Sequence, residues 1–256
     1  MSVLTGALTQ TGSMFALFLD VLRNLFKRPF QWREMVNQAW FVASVCMVPV
    51  MLVSIPFGMV IALQVGNLSR QLGAQSFTGS AMVLAVVREA APVATALLIA
   101  GAGGSAICAD LGSRRIRDEI DAMEVLAVSP IQRLIVPRVI AATFVAILLN
   151  GLVSVAGIAG GYFFNVIVQG GTPGAYIASF GTLSQLSDLY MSEFKAAIFG
   201  LIAALVASYK GLTAKGGPKG VGDAVNQSVV ITFMLLFVVN FALTALYFEL
   251  VPQKFS

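Results

Sequence analysis

The sequence contains no histidine, and this absence limits the chemistry that the chain can perform. Histidine is the commonest general base and the commonest ligand of transition metals in proteins, so the sequence predicts neither catalytic residues nor a metal site. The only two cysteines, Cys46 and Cys108, lie in separate apolar stretches without a CxxC spacing. We therefore expect two buried free thiols.

Charged residues are scarce as well. They form 11% of the 256 residues, whereas 58% are hydrophobic and the mean hydropathy is +0.88. Soluble domains contain roughly 25% charged residues, so this composition indicates an integral membrane protein. Because the alternating strands of an outer-membrane barrel are missing, we predict an all-α fold, whose helices satisfy the backbone in hydrocarbon. Basic loops beside a membrane explain the net charge of +4, so no nucleic-acid partner is expected.

Five apolar stretches are long enough to cross a bilayer, which requires about 20 residues per helix. The predicted spans are, approximately, 41–66, a part of 77–108, 131–168, 190–210 and 224–250. The second and third exceed the required length, so we expect tilting or kinks at their prolines, Pro92 and Pro137. Residues 41–256 are predicted to form a single transmembrane domain.

The N-terminal region, residues 1–40, is predicted to contain amphipathic interfacial helices rather than a span. Apolar residues recur at helical spacing before Pro29, which ends the pattern: Phe15, Phe18, Leu19, Leu22, Leu25 and Phe26. Such a helix lies in the plane of the membrane interface. Trp32 and Trp40 follow as expected interface anchors.

Lysine and arginine residues predict the orientation. Twelve of the 16 fall on one side of the predicted spans, and only Arg70, Arg88, Lys195 and Lys254 do not. Loops that face the cytoplasm carry the excess of basic residues. We therefore predict a multi-pass protein of the cytoplasmic membrane with a cytoplasmic N-terminus and an extracytoplasmic C-terminus.

One charged segment, residues 109–130, separates the second and third spans. It holds eight of the 28 charged residues within the stretch from Asp110 to Glu124. Its pattern places apolar residues on one helical stripe, namely Ile116, Ile120, Met123 and Ala127. Two interpretations remain open from the pattern: a solvated loop helix, or a helix that docks on a soluble partner.

Several runs resemble the MlaE/YrbE permease family of ABC-type lipid transporters. REAAPVATALLIAG, from Arg88 to Gly101, is similar to the family's RELGPVLTALLVAG. Asp110-Leu111-Gly112, the EIDAM run from Glu119 and Ser129-Pro130-Ile131 match its D-L-G turn, its EQIDAL helix and its D-P-I motif. The resemblance covers about residues 35–250. It is strongest to the YrbE-A permeases that are encoded with Mce proteins in mycobacteria and related actinobacteria.

This resemblance implies that the charged segment is a coupling helix that contacts a cytoplasmic ATPase. The residues implied are Arg117, Asp118, Glu119, Ile120, Asp121, Ala122, Met123 and Glu124. The chain has no G-x-x-x-x-G-K-[ST] motif of its own. No cofactor is therefore expected in this chain, and ATP and magnesium are expected on the partner ATPase.

The resemblance also implies a substrate path. Arg88, Glu89 and Lys195 match positions that line the family's cavity, although a capping role for Arg88 and a snorkelling role for Lys195 remain open. Asn240 is the fourth candidate for this path; it stands where many relatives carry aspartate, so no charge-based role is expected there. No catalytic residue is predicted, because the chain is expected to be a non-catalytic subunit.

Small residues spaced every four positions predict close helix contacts. Gly101 and Ser105 form one pair, and Gly157 and Gly161 form another. The pattern does not decide whether the partner helix belongs to the same subunit or to a neighbouring one.

The function implied by the resemblance is ATP-driven movement of fatty acids or related lipids across the cytoplasmic membrane, by import. The implied partners are a second YrbE-type permease in a heterodimer, an ATPase dimer and a hexamer of Mce lipid-binding proteins. Two alternatives are a passive channel or secondary transporter, and a non-conducting scaffold for Mce proteins.

Overall fold

The structure is a computed structural model that describes residues 2–25, 27, 31–74 and 77–251. Every regular element in these residues is helical, and they contain no strand, which confirms the predicted all-α fold class. The helices, with π-helical turns counted inside the longer ones, are α1 (Ser2–Leu25), α2 (Trp32–Gln71), α3 (Thr78–Ile116), α4 (Glu119–Val125), α5 (Ile131–Val168), α6 (Pro173–Ala178), α7 (Phe180–Leu183), α8 (Leu186–Leu212) and α9 (Gly217–Leu250).

Five of these helices, α2, α3, α5, α8 and α9, are long and apolar enough to cross a membrane, which confirms the predicted number of spans. Most extend beyond their predicted bounds, because hydropathy marks the apolar core of a span and not its polar ends. Helix α2 runs unbroken through Trp32, Trp40, Pro49 and Pro56. The predicted domain boundary after residue 40 therefore lies inside a helix, and the division into domains stays a prediction.

The two prolines at which kinks are predicted each follow a π-helical turn. Ala85–Ala90 precedes Pro92 in α3, and Ile131–Ile135 precedes Pro137 in α5. Proline has no backbone N–H, so the carbonyl four residues earlier lacks its α-helical donor. A π-turn changes the local hydrogen-bond pattern, and such turns are frequent at functional sites.

The chain divides into two compact units. Unit 1 consists of Met1–Val45, Ile99–Val145 and Phe199–Leu236, and unit 2 consists of Cys46–Leu98, Ala146–Ile198 and Phe237–Ser256. Each has its own core of small and branched apolar residues. Cys108 in unit 1 and Cys46 in unit 2 are both buried and form no disulfide, as the sequence predicts.

Some apolar side chains of helix α1 pack against the rest of unit 1, and others are exposed. The helix packs on the turn Ile131–Ile135 within unit 1, where Leu17 and Val21 are buried. Phe15 and Leu22, which belong to the predicted stripe, remain exposed. The exposed part is the surface that an interfacial helix would present to lipid.

Helices α2 and α9 expose rows of large apolar side chains. These include Met47, Val48, Leu52 and Val60 in α2, and Met234, Phe237, Val238 and Phe241 in α9. Apolar surface of this extent is unfavourable in water, but it is the surface expected for a helix in contact with hydrocarbon.

Candidate functional site

A buried aspartate, Asp188, organises a polar cluster in unit 2. Arg88 donates to Asp188 Oδ1 through Nε at 2.9 Å and Nη2 at 2.5 Å. The Tyr247 hydroxyl donates to the same oxygen at 2.7 Å, and the backbone N–H of Gln185 donates to Oδ2 at 2.8 Å. The Asp188 side chain is 2% exposed. The carboxylate is thus neutralised by one guanidinium and satisfied by neutral donors.

Aromatic rings hold the other partner of this ion pair. The guanidinium carbon of Arg88 lies 5.2 Å from the centroids of both the Tyr247 and the Phe248 rings. Ring faces attract cations at this distance. Helix α9 therefore binds Arg88 through its rings and Asp188 through its hydroxyl.

A second cluster surrounds Lys195, whose side chain is fully buried. The ammonium donates to Glu89 Oε1 at 3.0 Å, to Thr244 Oγ1 at 2.8 Å and to the backbone carbonyl of Arg88 at 3.3 Å. An ammonium has three N–H donors, so each is used. The Glu89 side chain is 41% exposed and is the accessible edge of this cluster.

Pro92 explains why the Arg88 carbonyl is available to Lys195. Residue 92 is four positions after Arg88, and proline cannot donate the α-helical hydrogen bond that this carbonyl would otherwise accept. The carbonyl instead accepts from the ammonium of α8. We refer to Arg88, Glu89, Asp188, Lys195, Thr244 and Tyr247 together as the three-helix polar network, because they come from α3, α8 and α9.

Three of the four predicted substrate-path residues, Arg88, Glu89 and Lys195, lie in the same polar network. They take part in two different ion pairs. Adjacent residues point in different directions on a helix, and Arg88 and Glu89 accordingly pair with different partners. Lys195 lies at the centre of the network without exposure, so its head is held by protein groups. Asn240 lies outside the network's hydrogen bonds, and its buried Oδ1 has no hydrogen-bond partner.

Sequence reasoning missed Asp188, Thr244 and Tyr247. Thr244 and Tyr247 are three positions apart in α9 and therefore share a helix face, which is the only pattern that points to them. Asp188 lies in the first turn of α8, within what the hydropathy indicates to be an external loop.

Tyr176 anchors the connection between α5 and α8. Its ring packs edge-on against Tyr162 and Phe180, with centroids 5.7 and 5.3 Å away. Its buried hydroxyl has no hydrogen-bond partner. Burial raises the pKa of Tyr176 to about 12, because the charged phenolate is disfavoured away from water.

The charged segment in unit 1 is not a single helix, because a break divides it into two helical parts. Helix α3 ends at Ile116, Asp118 has a left-handed backbone with φ of 58°, and α4 begins at Glu119. Aspartate tolerates this conformation because its short side chain bonds locally. The predicted stripe of Ile116, Ile120, Met123 and Ala127 therefore does not lie on one continuous helix.

Ion pairs tie the two sides of this break together. Arg115 pairs with Asp121, and Glu119 lies 3.0 Å from Arg117 Nε and 3.7 Å from Arg114 Nη1. Behind them, Asp110 pairs with Arg114 at 3.2 Å and with the fully buried Arg138 of α5. Glu119 and Asp121 are thus paired within the chain, but their side chains remain 43% and 49% exposed.

The exposed tip of the segment is apolar. Ile120 is buried at 3% exposure, so it supports α4 from within. Val125 and Leu126 are 86% and 74% exposed and stand beside the exposed Glu124. The predicted coupling residues remain a prediction. The exposed surface of the segment includes Arg117, Asp118, Ala122 and Glu124, and it continues into Val125 and Leu126 at the end of α4.

A turn of defined geometry holds this tip. The N–H of Val128 donates to the Met123 carbonyl at 2.9 Å, and the N–H of Ala127 donates to the Glu124 carbonyl at 3.0 Å. Ala127 has a φ of 57°. This is the Schellman pattern, in which glycine usually occupies the left-handed position. Alanine at this position adds strain, which is a reason to examine the tip for function.

The small-residue pairs occupy different environments. A Cβ on Gly161 would clash with Met82, and one on Gly58 would clash with the Gly157 backbone, so α2, α3 and α5 approach closely within unit 2. A Cβ on Gly101 in unit 1 would meet no atom within 4 Å, and Ser105 donates to the Gly101 carbonyl of its own helix. The predicted close contact at Gly101, with a helix of this or of a neighbouring subunit, stays a prediction.

Comparison with known proteins identifies the family. The sequence profile of the permease MlaE family matches residues 35–246. The chain belongs to the MlaE permease family. A probable ABC transporter permease of Synechocystis sp. is 34% identical over 233 residues, which cover 91% of this chain and 87% of that protein. A probable ABC transporter permease of Rickettsia typhi is 30% identical over 241 residues, which cover 94% and 93%.

A plant protein is also similar. Protein TRIGALACTOSYLDIACYLGLYCEROL 1, chloroplastic, of Arabidopsis thaliana is 28% identical over 230 residues, covering 90% of this chain and 66% of that protein. These relatives make the chain an ABC transporter permease of a multi-pass membrane type, and such a permease requires an ATPase subunit. These similarities establish the family, whereas the YrbE-A subtype that the motifs predict stays a prediction.

Proposed function

We propose that this permease is the membrane subunit of an ATP-driven importer of fatty acids or related lipids, of the YrbE-A type that works with Mce proteins. It pairs with a second YrbE-type permease, binds an ATPase dimer on the cytoplasmic side and receives lipid from an Mce hexamer. The name of the plant relative, which is that of a galactolipid, supports a lipid substrate.

The observation that carries this proposal is the three-helix polar network within an otherwise apolar unit. Ionisable residues inside spanning helices are costly and mark functional paths. Here Arg88 and Glu89 lie in a π-turn and bind groups of two other helices. Both ion pairs join α3 to α8, and α9 adds hydroxyl hydrogen bonds and aromatic rings. A change in the packing of these helices would exchange these partners, which suits a transporter that opens and closes.

A lipid has an apolar tail as well as a polar head, and unit 2 offers surfaces for both. An open apolar groove of about 470 Å³ is lined by Val155, Ile158, Ala159, Tyr162, Ile177 and Phe180. Acyl chains bind such surfaces through the hydrophobic effect. The polar network contributes one partly exposed polar group, the Glu89 carboxylate.

For the ATPase contact, we propose the tip of α4 as the surface that enters a groove of the ATPase. Val125 and Leu126 supply the apolar contact, and Glu124 supplies charge at the rim. The ion pairs from Arg114, Arg115 and Arg117 connect α4 to the end of α3. Displacement of the tip would therefore move α3, which also carries Arg88 and Glu89.

The test is lipid movement by the complete transporter in proteoliposomes, with a fluorescent long-chain fatty acid and internal or external ATP. We expect movement that requires ATP, and at least about fivefold slower movement for Glu89→Gln with the ATPase still bound, because Lys195 loses its charged acceptor. Glu249→Gln is the matched control, since Glu249 is an exposed carboxylate of α9 outside the network. Movement without ATP would indicate a channel, and an intact complex without movement would indicate a scaffold; either result would overturn the proposal.

A further inference from the structure

A polar cavity lies in unit 1, and none of the residues that line it belongs to the three-helix polar network. Its volume is about 540 Å³, which is in the range of small-molecule sites. Residues of α1, α3, α8, α9 and the α8–α9 connection line it. The charged and amide side chains of the wall are Gln10, Arg115, Lys210, Lys215, Asp223 and Gln227.

Lys210 is the buried cation of this wall, with 5% exposure. Its ammonium donates to Gln227 Oε1 at 3.0 Å and to Gln10 Oε1 at 3.5 Å. Both acceptors are neutral, and no carboxylate among the described residues lies within ion-pair distance of it. A buried ammonium without an anion is unfavourable. Besides the two amide oxygens, Nζ lies 6.0 Å from the centroid of the Tyr209 ring, so one of its three N–H donors makes no hydrogen bond to the described residues.

The other charges of the wall also favour an anion. Lys215 is an exposed cation beside the cavity, and Arg115 is shared with Asp121 through its ion pair. Asp223 is the only acidic residue that lines the cavity within the described part of the chain. The wall therefore keeps positive charge after Asp223 and the Arg115–Asp121 pair are taken into account.

We propose that this cavity binds a phosphate group, carried either by the headgroup of an anionic phospholipid or by free inorganic phosphate. Lysine binds phosphate as a point charge, and Lys210 holds that charge in place while Lys215 adds a second one from the rim. The Thr213 hydroxyl also lines the cavity, but it donates to the backbone carbonyl of Tyr209 at 2.8 Å and is not counted among the phosphate donors. This site is independent of the proposed transport path in unit 2.

The experiment measures binding to the delipidated, purified transporter by native mass spectrometry and by competition. The probes are a short-chain phosphatidylglycerol, the matching diacylglycerol without phosphate, and inorganic phosphate. We expect phosphatidylglycerol to bind and diacylglycerol not to bind at this site. Lys210→Gln should weaken phosphatidylglycerol binding by about tenfold or more, because a charge-assisted contact is lost.

Two further variants keep the test decisive. Lys219→Gln removes an exposed lysine at the start of α9 that does not line the cavity, and we expect it to bind as the unaltered chain does. If Lys210→Gln does not fold, Lys215→Gln replaces it, because Lys215 is exposed and its loss should weaken binding by about threefold. Binding of phosphate but not of the lipid would assign the site to free phosphate. Equal binding of diacylglycerol, or binding unchanged by both cavity variants, would overturn the proposal.

Discussion

The hydroxyl groups of Tyr247 and Tyr176 are both withdrawn from solvent, but only one has a hydrogen-bond partner. Tyr247 donates to the buried Asp188 at 2.7 Å, whereas the Tyr176 hydroxyl has no partner. Removing a donor from a buried charged acceptor costs stability, but removing an unpartnered polar atom can be neutral or stabilising. The same substitution at the two positions should therefore have different effects.

We predict that Tyr247→Phe lowers the stability of the purified transporter by about 1–2 kcal/mol, while Tyr176→Phe leaves it unchanged or raises it slightly. Both variants keep the ring, so the packing is matched. The measurement is the thermal unfolding midpoint in detergent at neutral pH. Since the pKa of Tyr176 is about 12, its hydroxyl is protonated under these conditions. An equal loss in both variants would show that the Asp188 contact contributes nothing.

At the residue scale, the sequence identified the rare ions but not their partners. Arg88, Glu89 and Lys195 stand out because charge is uncommon in apolar segments. Asp188 does not, since it borders a polar loop, and its pairing with Arg88 joins residues 100 positions apart. A single sequence contains no record of such a contact. The exposed Val125 and Leu126 were likewise not distinguished from core residues, because helical periodicity assumes an unbroken helix.

At the scale of helices, close packing depends on glycines whose neighbours differ. Gly58 meets the backbone of Gly157, where even one methyl group has no room, whereas Gly101 has open space around it within its own unit. Backbone cannot move aside as a flexible side chain can, so overpacking at Gly58 must separate α2 from α5.

We predict that Gly58→Ala destabilises the chain by about 1–3 kcal/mol and that Gly101→Ala has little effect on the chain alone. Unfolding midpoints of the purified chain measure this difference. The Gly101→Leu variant then tests whether a helix of a neighbouring subunit packs at Gly101. If such a helix packs there, the variant should reduce assembly of the permease pair. Normal assembly of Gly101→Leu would place the expected small-residue contact elsewhere, and a stable Gly58→Ala would contradict the close approach of α2 and α5.

Hydropathy predicted the number and order of spans because each needs a long apolar stretch. The sequence predicts kinks at Pro92 and Pro137 but not the π-helical turns before them. A proline shows that one backbone N–H donor is missing, but it does not show which hydrogen-bond pattern the helix adopts instead. The break at Asp118 was missed, because the surrounding charges fit a helix as well as a turn. The break is accompanied by a contact between residues on its two sides, the ion pair of Arg115 and Asp121.

At the scale of the whole molecule, an ABC permease must transmit movement between its ATPase and its spans. The ion pairs of the charged segment join the end of α3 to α4, so they are suited to transmission of movement within the permease. Val125 and Leu126 are exposed, and the Ala127 turn holds them. On the proposed function, this tip is the part that a partner would bury.

We predict that Leu126→Asp reduces co-purification of the ATPase by tenfold or more, about 1.5–3 kcal/mol of lost apolar burial, while the chain stays folded because residue 126 is exposed. Leu72→Asp is the matched control, since Leu72 is an equally exposed leucine of the other unit. The readouts are the ATPase retained by the tagged permease and lipid-stimulated ATP hydrolysis.

Glu119→Lys should instead retain the ATPase and reduce coupling of hydrolysis to transport, because it breaks the pairs with Arg114 and Arg117. Retention of the ATPase by Leu126→Asp together with its loss in Glu119→Lys would assign the contact to the acidic residues, and the apolar tip would then have no part in docking.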